Sequence, residues 1–320
     1  MTPTQLRAFA AVVRLGSVKD AAAELDVSEA AVSLHVGKLR RELGDQLFTR
    51  TAAGIAFTPG GLRLASRATE MLGLADRTVI EVSQAGNGRR LLRVAASSLF
   101  AEHAAPGLIE LFASRANDLT VELSVHSPQK FGTLLHTRSV DVAIGPSPET
   151  VHESVAHHRF LNYRLTIVAG PEHPLAAGHA TAHQLRQETW LLGPSAAAET
   201  GAVPTVLKQL NVPEEHQQIF QSHAAALEEA KHNKGLALAV SFVVAQDVAN
   251  GHLARVAVSD LPLRMDGSWS TQTLVEHGLP TVAAELVRFV TTPRATQAML
   301  RGSGVHVGRF RPSIHVTLWS

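Results

Sequence analysis

The sequence predicts an α/β protein that begins with a winged helix-turn-helix, continues through a long linker helix and ends in a two-lobed α/β domain. Three observations indicate this arrangement. Helical patterns and then two short strand patterns fill residues 4–58, where apolar residues first recur every three or four positions and then alternate. One helical pattern follows to about residue 85. From residue 91 onward, strands alternate with helices, as they do in βαβ units.

Composition excludes several classes of protein. The 320 residues are 45% hydrophobic and 18% charged, which suits two or three domains with sizeable cores. No apolar run approaches the roughly 18–20 residues of a membrane span, and charged residues interrupt the first thirty positions. We therefore expect a cytoplasmic protein that does not associate with membranes. The absence of cysteine excludes disulfides, thiolate nucleophiles and cysteine zinc sites.

The net charge of +1 hides an uneven distribution along the chain. Residues 1–93 contain thirteen Lys or Arg against nine Asp or Glu, whereas residues 94–320 contain sixteen against nineteen. The basic excess therefore lies at the N-terminal end. It is too small to indicate a nucleic-acid partner without support from the sequence pattern.

The N-terminal segment carries three helical patterns. Residues 4–15 form an amphipathic helix for which Thr4 is the expected cap. Residues 18–25 form a second, short helix. Residues 29–43 form a third, which Ser28 caps.

The third helix has two different faces. Its inward face is expected to hold Ala31 or Val32, together with Val36, Leu39 and Leu43. Its outward face holds Ser28, Glu29, Ala30, Ser33, Leu34, Gly37 and Lys38. The small side chains at the start would let its first turn enter a DNA major groove about 12 Å wide.

A wing and a linker helix follow. Residues 47–50 and 55–58 alternate as two short strands around a turn at 51–54. The linker helix then repeats apolar residues at the spacing of a helix that pairs with a second copy. The expected dimerisation seam consists of Leu64, Ala68, Met71, Ala75, Val79 and Val82. Residues 86–90 are the expected hinge.

The second half of the chain predicts two lobes. Strand patterns lie at 91–95, 119–125 and 140–144 for the first lobe, and at 164–169, 190–192 and 236–240 for the second. A strand at 270–275 and a helix near 282–290 return to the first lobe. Such a double crossover resembles the periplasmic-binding-protein fold. In doubly wound sheets, ligands bind beyond the carboxyl ends of the strands.

These patterns set the expected domain boundaries. They are the winged helix-turn-helix at 1–58, the linker and dimerisation helix at 59–87, lobe I at 91–161 and 268–300, lobe II at 162–267, and a C-terminal extension of unassigned role at 301–320.

The N-terminal pattern resembles the signature of LysR-type transcriptional regulators. The residues that carry this resemblance are Leu6, Phe9, Val12, Val13, Gly16, Ser17, Ala21, Ala22, Leu25, Ser28, Ala31, Val32, Ser33, Leu39, Leu43, Gly44, Leu47, Phe48, Arg50, Thr58 and Gly60. The segments 171–176 and 226–239 also resemble the family, so the likeness covers roughly residues 4–292. Within the family, the chain is similar to actinobacterial members, among them the regulator associated with carbon monoxide dehydrogenase genes.

This resemblance implies a DNA-binding surface. Candidates for base or phosphate contact are Ser33, His35 and Lys38 on the third helix, Arg50 on the wing, Ser17 and Thr58 at helix starts, and the neighbouring Ser28, Glu29, Ala30 and Ala31. The family commonly has Gln, Pro and Arg at positions 29, 30 and 34, so its usual base readout is partly lost in this chain. Glu29 can either accept from cytosine N4 or stabilise the first helical turn.

The resemblance also implies an effector cleft between the lobes. The strand ends hold Ser97, Ser98, Leu99, Ser127, Pro128, Gly145, Pro146, Ser195, Ser222 and His223. Ser97, Ser98 and Ser195 would stand near helix N-termini, a setting that suits a small carboxylate or other anion, so a small organic effector is expected there. The alternative for each serine is a plain helix cap. No cofactor is expected.

Catalytic and metal sites are not indicated. The seventeen histidines, including His157, His158, His173, His179 and His183, lack the spacing of metal ligands, and we expect them in loops and on the surface. The segment 193–197 lacks the second glycine of a nucleophile elbow. No glycine-rich phosphate loop follows a strand.

The sequence therefore predicts a DNA-binding transcriptional regulator, not an enzyme, that binds a pseudo-palindromic operator as a homodimer or homotetramer. RNA polymerase is a possible further partner. Two alternatives stay open. The first is a DNA-binding regulator without an effector. The second is a solute-binding protein or enzyme whose N-terminal segment only dimerises.

Overall fold

A computed structural model describes residues 1–51, 54–86, 90–148, 150, 152–176, 179–275 and 281–301. The chain divides into two compact units: residues 1–87 with 136–139, and the rest. Among the described residues, no helix is long and apolar enough to cross a membrane. The expected hinge residues 87–89, residues 52–53 of the wing turn and residues 302–320 of the C-terminal extension lie outside the described residues.

The first unit contains a winged helix-turn-helix and the linker helix. Its elements are α1 (Pro3–Leu15), α2 (Val18–Glu24), α3 (Glu29–Leu43), β1 (Phe48–Thr51), β2 (Gly54–Phe57) and α4 (Pro59–Gly86). The strands β1 and β2 pair antiparallel. Thr2, and not Thr4, caps α1. The Thr2 side chain accepts from the Gln5 amide while the Gln5 side chain accepts from the Thr2 amide, and this reciprocal capping box fixes the earlier start.

The core of the winged helix-turn-helix joins α1 and α3 to the wing. Phe9, Val12, Val32 and Leu39 are fully buried there. Leu43 differs from its expected inward placement, because 44% of its surface is exposed in the last turn of α3. Gly44 ends this helix in the left-handed region, at φ 64°, a conformation that glycine adopts without steric cost.

The linker helix α4 uses its two halves differently. Ala68 is fully buried in the core of its own winged helix-turn-helix, and Leu64 packs against that core. These two residues therefore do not belong to an exposed seam. Further along, the side chains of Met71, Ala75 and Val79 are exposed. Apolar residues spaced by three or four positions indicate that one face of a helix is covered, but not by what. The first half of α4 packs on α1 of the same chain.

The second unit is an α/β domain. Its helices are α5 (Ser98–His103), α6 (Ala105–Ala113), α7 (Phe131–His136), α8 (Ala182–Gln187), α9 (Ala202–Leu210), α10 (His223–Lys231), α11 (Ala245–Ala249), α12 (Thr281–Phe289) and α13 (Pro293–Arg301). Its strands are β3 (Arg90–Ala96), β4 (Leu119–Val125), β5 (Val142–Pro146), β6 (Val155–Ala169), β7 (His179–Ala180), β8 (Trp190–Leu192), β9 (Gln217–Ile219), β10 (Leu236–Val240), β11 (Ala254–Arg255), β12 (Ala257–Val258) and β13 (Asp266–Leu274).

The larger strands form a mixed sheet in the order β4-β3-β5-β13-β6-β10-β8-β9. Lobe I contains β3, β4 and β5, which are parallel to one another. Lobe II contains β8, β9 and β10, also parallel. The strands β6 and β13 pair antiparallel with each other and join the two sets. The carboxyl ends of the parallel strands in each lobe therefore hold the loops that line a cleft.

The strand β6 is longer than the sequence predicted. It begins at Val155, whereas the apolar run indicated a start near Arg164. Its first part is polar at many positions because it lies between the lobes, where one side of a strand meets solvent. Trp269 of β13 is fully buried beside it and packs on Tyr163, with ring centroids 4.6 Å apart.

Candidate nucleic-acid interface and ligand cleft

The N-terminal half of α3 has a small, polar outer face. Ser28, Glu29, Ala30 and Ser33 are exposed, and so is Lys38 one turn further along. The side chains of Ala31 and His35 are half-buried at the edges of this face. Val32 and Val36 lie on the opposite side, within the core. The exposed face can therefore approach a surface closely without disturbing the core.

Two of the candidate hydroxyl groups cap helices. The Ser17 side chain accepts from the Asp20 amide at the start of α2. The Ser28 side chain accepts from the Ala31 amide at the start of α3. Each hydroxyl keeps its own hydrogen for a further acceptor, since capping uses only a lone pair.

The third hydroxyl, that of Thr58, is held by a carboxylate. It donates to Asp45 at 2.6 Å and accepts from the Gly61 amide at 2.9 Å. The hydrogen bond from Thr58, and next the one from the Leu47 amide, lower the pKa of Asp45, so this carboxyl is ionised near neutral pH. A negative charge at this point disfavours phosphate. The contact instead fixes the segment between α3 and β1 to the start of α4.

The wing is held by Arg40, which sequence analysis did not select. Its guanidinium donates to the Phe48 carbonyl at 2.7 Å and lies 4.6 Å from the centre of the Phe48 ring. Arg50 occupies β1 opposite Ile55. The side chain of Arg50 lies outside the described residues.

The second unit has a cleft of about 240 Å³ between its lobes. Of the expected residues, Ser97, Ser98, Leu99, Ser127, Pro128, Pro146 and Ser195 line it. The hydroxyl oxygens of Ser97 and Ser195 are buried and have no hydrogen-bond partner. An unpartnered buried hydroxyl carries a free-energy cost that a ligand atom can remove.

Three expected cleft residues lie elsewhere. Gly145 is buried behind Ser97, where an added Cβ would meet the Phe131 ring. Ser222 caps α10, and the His223 side chain packs beneath Gly193 instead of lining the cleft. The His223 ring nonetheless reaches the cleft residue Ser98, with Nε2 and Oγ 3.4 Å apart, so it lies directly behind the wall of the cleft.

The structure adds cleft residues that sequence analysis missed. They include His126, Tyr163 and Thr200, with the neighbouring residues Ala197, Ala198 and 201–204. Burial, and next the charge of Lys130, lower the pKa of His126, so its ring is neutral at pH 7. The 197–204 segment gave no signal because its short apolar residues resemble an ordinary loop. His126 directly follows β4, and that position could have identified it.

Comparison with known proteins decides the family. A model described as bacterial regulatory helix-turn-helix protein, lysR family, matches residues 3–62. A model of the LysR substrate binding domain matches residues 85–292, which is more than half of the chain. The chain belongs to the LysR family of transcriptional regulators. It is a DNA-binding regulator with a substrate-binding domain, and not an enzyme.

Two curated relatives illustrate the similarity of this LysR-type regulator. Rv0377 of Mycobacterium tuberculosis, an uncharacterized HTH-type transcriptional regulator, is 56% identical over 323 positions that cover the whole of both chains. The RuBisCO operon transcriptional regulator of Allochromatium vinosum is 28% identical over 264 positions, or 81% of this chain and 86% of that one. Neither name supports the narrower resemblance to a carbon monoxide dehydrogenase regulator.

Solved structures share the fold of this LysR-type regulator. Full-length CbnR complexed with its target DNA gives a TM-score of 0.56 at 19% identity, over 91% of this chain and 99% of that one. An OxyR mutant of Corynebacterium glutamicum gives 0.52 at 17% identity, over 94% and 95%.

The regulator's two lobes also meet through a partly buried contact beside the cleft. Glu102 of α5 accepts from the backbone amides of His223 and Ala224, at 2.8 and 3.2 Å, and so caps α10 in the other lobe. The ring of His103 lies 5.6 Å from that of His223. Both histidines are buried, as is His173, which corrects the expectation that the histidines lie in loops and on the surface. Among the described residues, no group of three His, Asp or Glu side chains could hold a metal ion.

His103 and His223 make the second unit sensitive to acid. Burial lowers the pKa of His103 to about 4, and burial with the charge of His103 lowers that of His223 to about 3. The unfolded chain binds these protons near pH 6.5, so the free energy of unfolding should fall as the pH drops from about 6.5 towards 4. Burial raises the pKa of Glu102, and this opposes part of the loss of stability.

Urea unfolding measured at several pH values should show that the free energy of unfolding falls less with acid in His103→Leu than in the wild type. An equal fall in both proteins would contradict the role of His103 in the acid sensitivity.

Proposed function

We propose that this LysR-type regulator binds a pseudo-palindromic operator through two winged helix-turn-helix units, each placing the start of α3 in the major groove. The observation that carries the proposal is the exposed row of small residues, Ala30 and Ser33, next to Lys38. Small side chains allow close approach to base edges, and a lysine one turn later reaches the phosphates. Ser33 and His35 are the proposed base contacts.

The remaining candidates divide into phosphate and structural roles. Ser17 and Ser28 stand at helix starts, where free amide groups favour phosphate oxygens, and we assign them to the DNA backbone. Arg50 of the wing is assigned to the backbone as well. Glu29 in the first turn of α3 stabilises the helix dipole and can accept from cytosine N4. Thr58 is assigned to positioning, because its hydroxyl donates to Asp45.

We propose that the exposed face of α4 pairs two chains. Met71, Leu74, Ala75, Val79 and Val82 form this face, with Val79 70% exposed. Apolar side chains at this spacing on an exposed helix need a partner to be removed from water. A homodimer places two copies of α3 on one operator. A homotetramer would need a second interface.

Val79→Asp should convert the dimer to a monomer, because the carboxylate would be buried without a partner in the seam. Sedimentation velocity at micromolar concentration measures this directly. Glu70→Asp, on the same helix but keeping its charge, is the control. A Val79→Asp protein that sediments as the wild type would exclude the face from the interface.

The cleft is the proposed effector site. Its hydroxyl-lined volume of about 240 Å³ suits a small organic molecule that donates to or accepts from Ser97 and Ser195. No Lys or Arg is among the described residues that line it. An effector that prefers one closure of the lobes shifts the population of DNA-binding states by its differential affinity.

Fluorescence anisotropy on the DNA upstream of the regulator's own gene tests the proposal. The purified full chain should bind this duplex more tightly than a scrambled one, and the difference should persist at higher salt. Equal binding to both duplexes would contradict operator recognition at this site. A compound screen by thermal shift tests the cleft, where Ser97→Val should remove the shift. A regulator that binds its operator but responds to no compound would support the effector-independent alternative.

A further inference from the structure

Lobe I has a second concave surface, distinct from the ligand cleft. The end of α6, the helix α12 and the start of α13 form a groove of about 590 Å³. The groove is lined by Arg115 just after α6, Arg288 of α12 and Arg294 of α13. We call this surface the arginine groove.

The three guanidinium groups of the arginine groove are not neutralised. All three side chains are exposed, and within the described part of the chain none of them forms an ion pair. Other arginines of the same lobe do have carboxylate partners: Arg90 lies 2.7 Å from Asp118. Three cations facing one concavity repel one another, so an anion placed between them would be attracted by all three.

The local charge contrasts with that of the surrounding sequence. Residues 94–320 contain nineteen acidic against sixteen basic residues, yet the groove lining has three arginines and a single carboxylate, Glu285. The hydrogen bond to Asp118 raises the pKa of Arg90, and the charge of Glu285 adds a smaller contribution, so this carboxylate is near Arg90 as well as the groove. The net charge of the groove lining is therefore positive.

One of the arginines is oriented by aromatic rings. The Cζ atom of Arg115 lies 4.9 Å from the centre of the Phe289 ring and 5.8 Å from that of Phe112. A guanidinium that rests on ring faces keeps its N–H edges available for an acceptor. Ring contacts hold this side chain in place without using the donors that a carboxylate would use.

We propose that the arginine groove binds a small multivalent oxyanion, a molecule that carries phosphate or several carboxylate groups. Guanidinium forks match the oxygen pairs of both groups and bind them through two parallel hydrogen bonds. Exposed arginines at three corners suit a ligand with at least two charged ends. This site is independent of the inter-lobe cleft and of the effector proposed there.

Isothermal titration of the full chain with pyrophosphate and with citrate tests the proposal, at an ionic strength held constant with chloride. We expect saturable binding. Arg288→Gln and Arg294→Gln should each weaken it about tenfold, because each removes one guanidinium from the anion; this factor corresponds to about 1.4 kcal/mol. Glu285→Gln should tighten binding, since it removes the opposing charge. The matched control is Arg264→Gln, which removes an exposed lobe II arginine without an ion pair among the described residues.

The outcomes separate the sources of the anion. If pyrophosphate binds more tightly, the groove is a site for phosphate ligands. If citrate binds more tightly, it is a site for carboxylates. Similar affinities mean that it recognises the oxygen pairs that both groups present. Binding of neither anion would overturn the proposal, and so would equal weakening in Arg264→Gln. Loss of binding in Ser97→Val would place the anion in the cleft and also overturn it. Failure of effector binding in the cleft leaves these expectations unchanged.

Discussion

Ser33→Asp should reduce operator affinity by about a hundredfold or more, since like charges placed together in an interface cost several kcal/mol. The new carboxylate would stand on the exposed face of α3, next to base edges and phosphates in the proposed complex. Ser33→Ala should cost less, about 1–3 kcal/mol at the base that the hydroxyl contacts. Anisotropy titration on the operator measures both.

Thr69→Asp is the matched control for the change of charge. Thr69 is exposed on α4 of the same unit. The substitution therefore adds the same carboxylate on a different helix from the α3 face. Equal losses in Ser33→Asp and Thr69→Asp would mean that net charge alone weakens binding.

Lys38→Gln should change the salt dependence of operator binding. The slope of log K against log salt should fall in magnitude by about 0.9 for one lost phosphate contact. An unchanged slope would remove Lys38 from the interface.

Gly193→Ala should unfold or distort the second unit more than any other glycine-to-alanine change in the cleft region. An added Cβ would overlap the buried ring of His223, which leaves no space beside the backbone. Overpacking of this kind typically costs about 1–3 kcal/mol, and Gly193 directly precedes the turn that places Pro194 and Ser195 in the cleft. Thermal and urea unfolding should both show the loss.

The double variant Gly193→Ala with His223→Ala isolates this contact. Removing the ring makes room for the new methyl group, so the double variant should be more stable than the sum of the two single changes predicts. Gly132→Ala serves as control, because an added Cβ on that α7 glycine meets no atom within 4 Å. Additive losses in the double variant would show that the His223 ring is not what excludes a side chain at position 193.

Local pattern was sufficient for most elements of the chain. The strands at 119–125, 190–192 and 236–240 have the predicted bounds, and so does α3 with its Ser28 cap. Each is defined by neighbours within a few residues: an apolar run between turn residues, or a hydroxyl that reaches the amide three positions later. The start of β6 escaped prediction, because a polar strand between two lobes carries no such run.

The candidate sites depended more on distant contacts. Ser97 and Ser195 line the cleft, as expected of residues that follow strand ends, but sequence position could not tell that His223 lies behind the cleft wall, against Ser98 and Gly193. Helical spacing suggested one seam along α4, whereas burial of Ala68 in its own core divides that helix into two functional halves.

The sequence by itself determined the family, the order of the winged helix-turn-helix, linker and two lobes, and the residues on the outer face of α3. These features follow from short-range periodicity and capping, which neighbouring residues specify. Only the tertiary structure decided that Glu102 caps α10 of the other lobe, that His103 and His223 are buried together, and that Arg115, Arg288 and Arg294 share one groove. More than a hundred residues of sequence separate Glu102 and His103 from α10, and Arg115 from Arg288, so only tertiary packing brings these groups together.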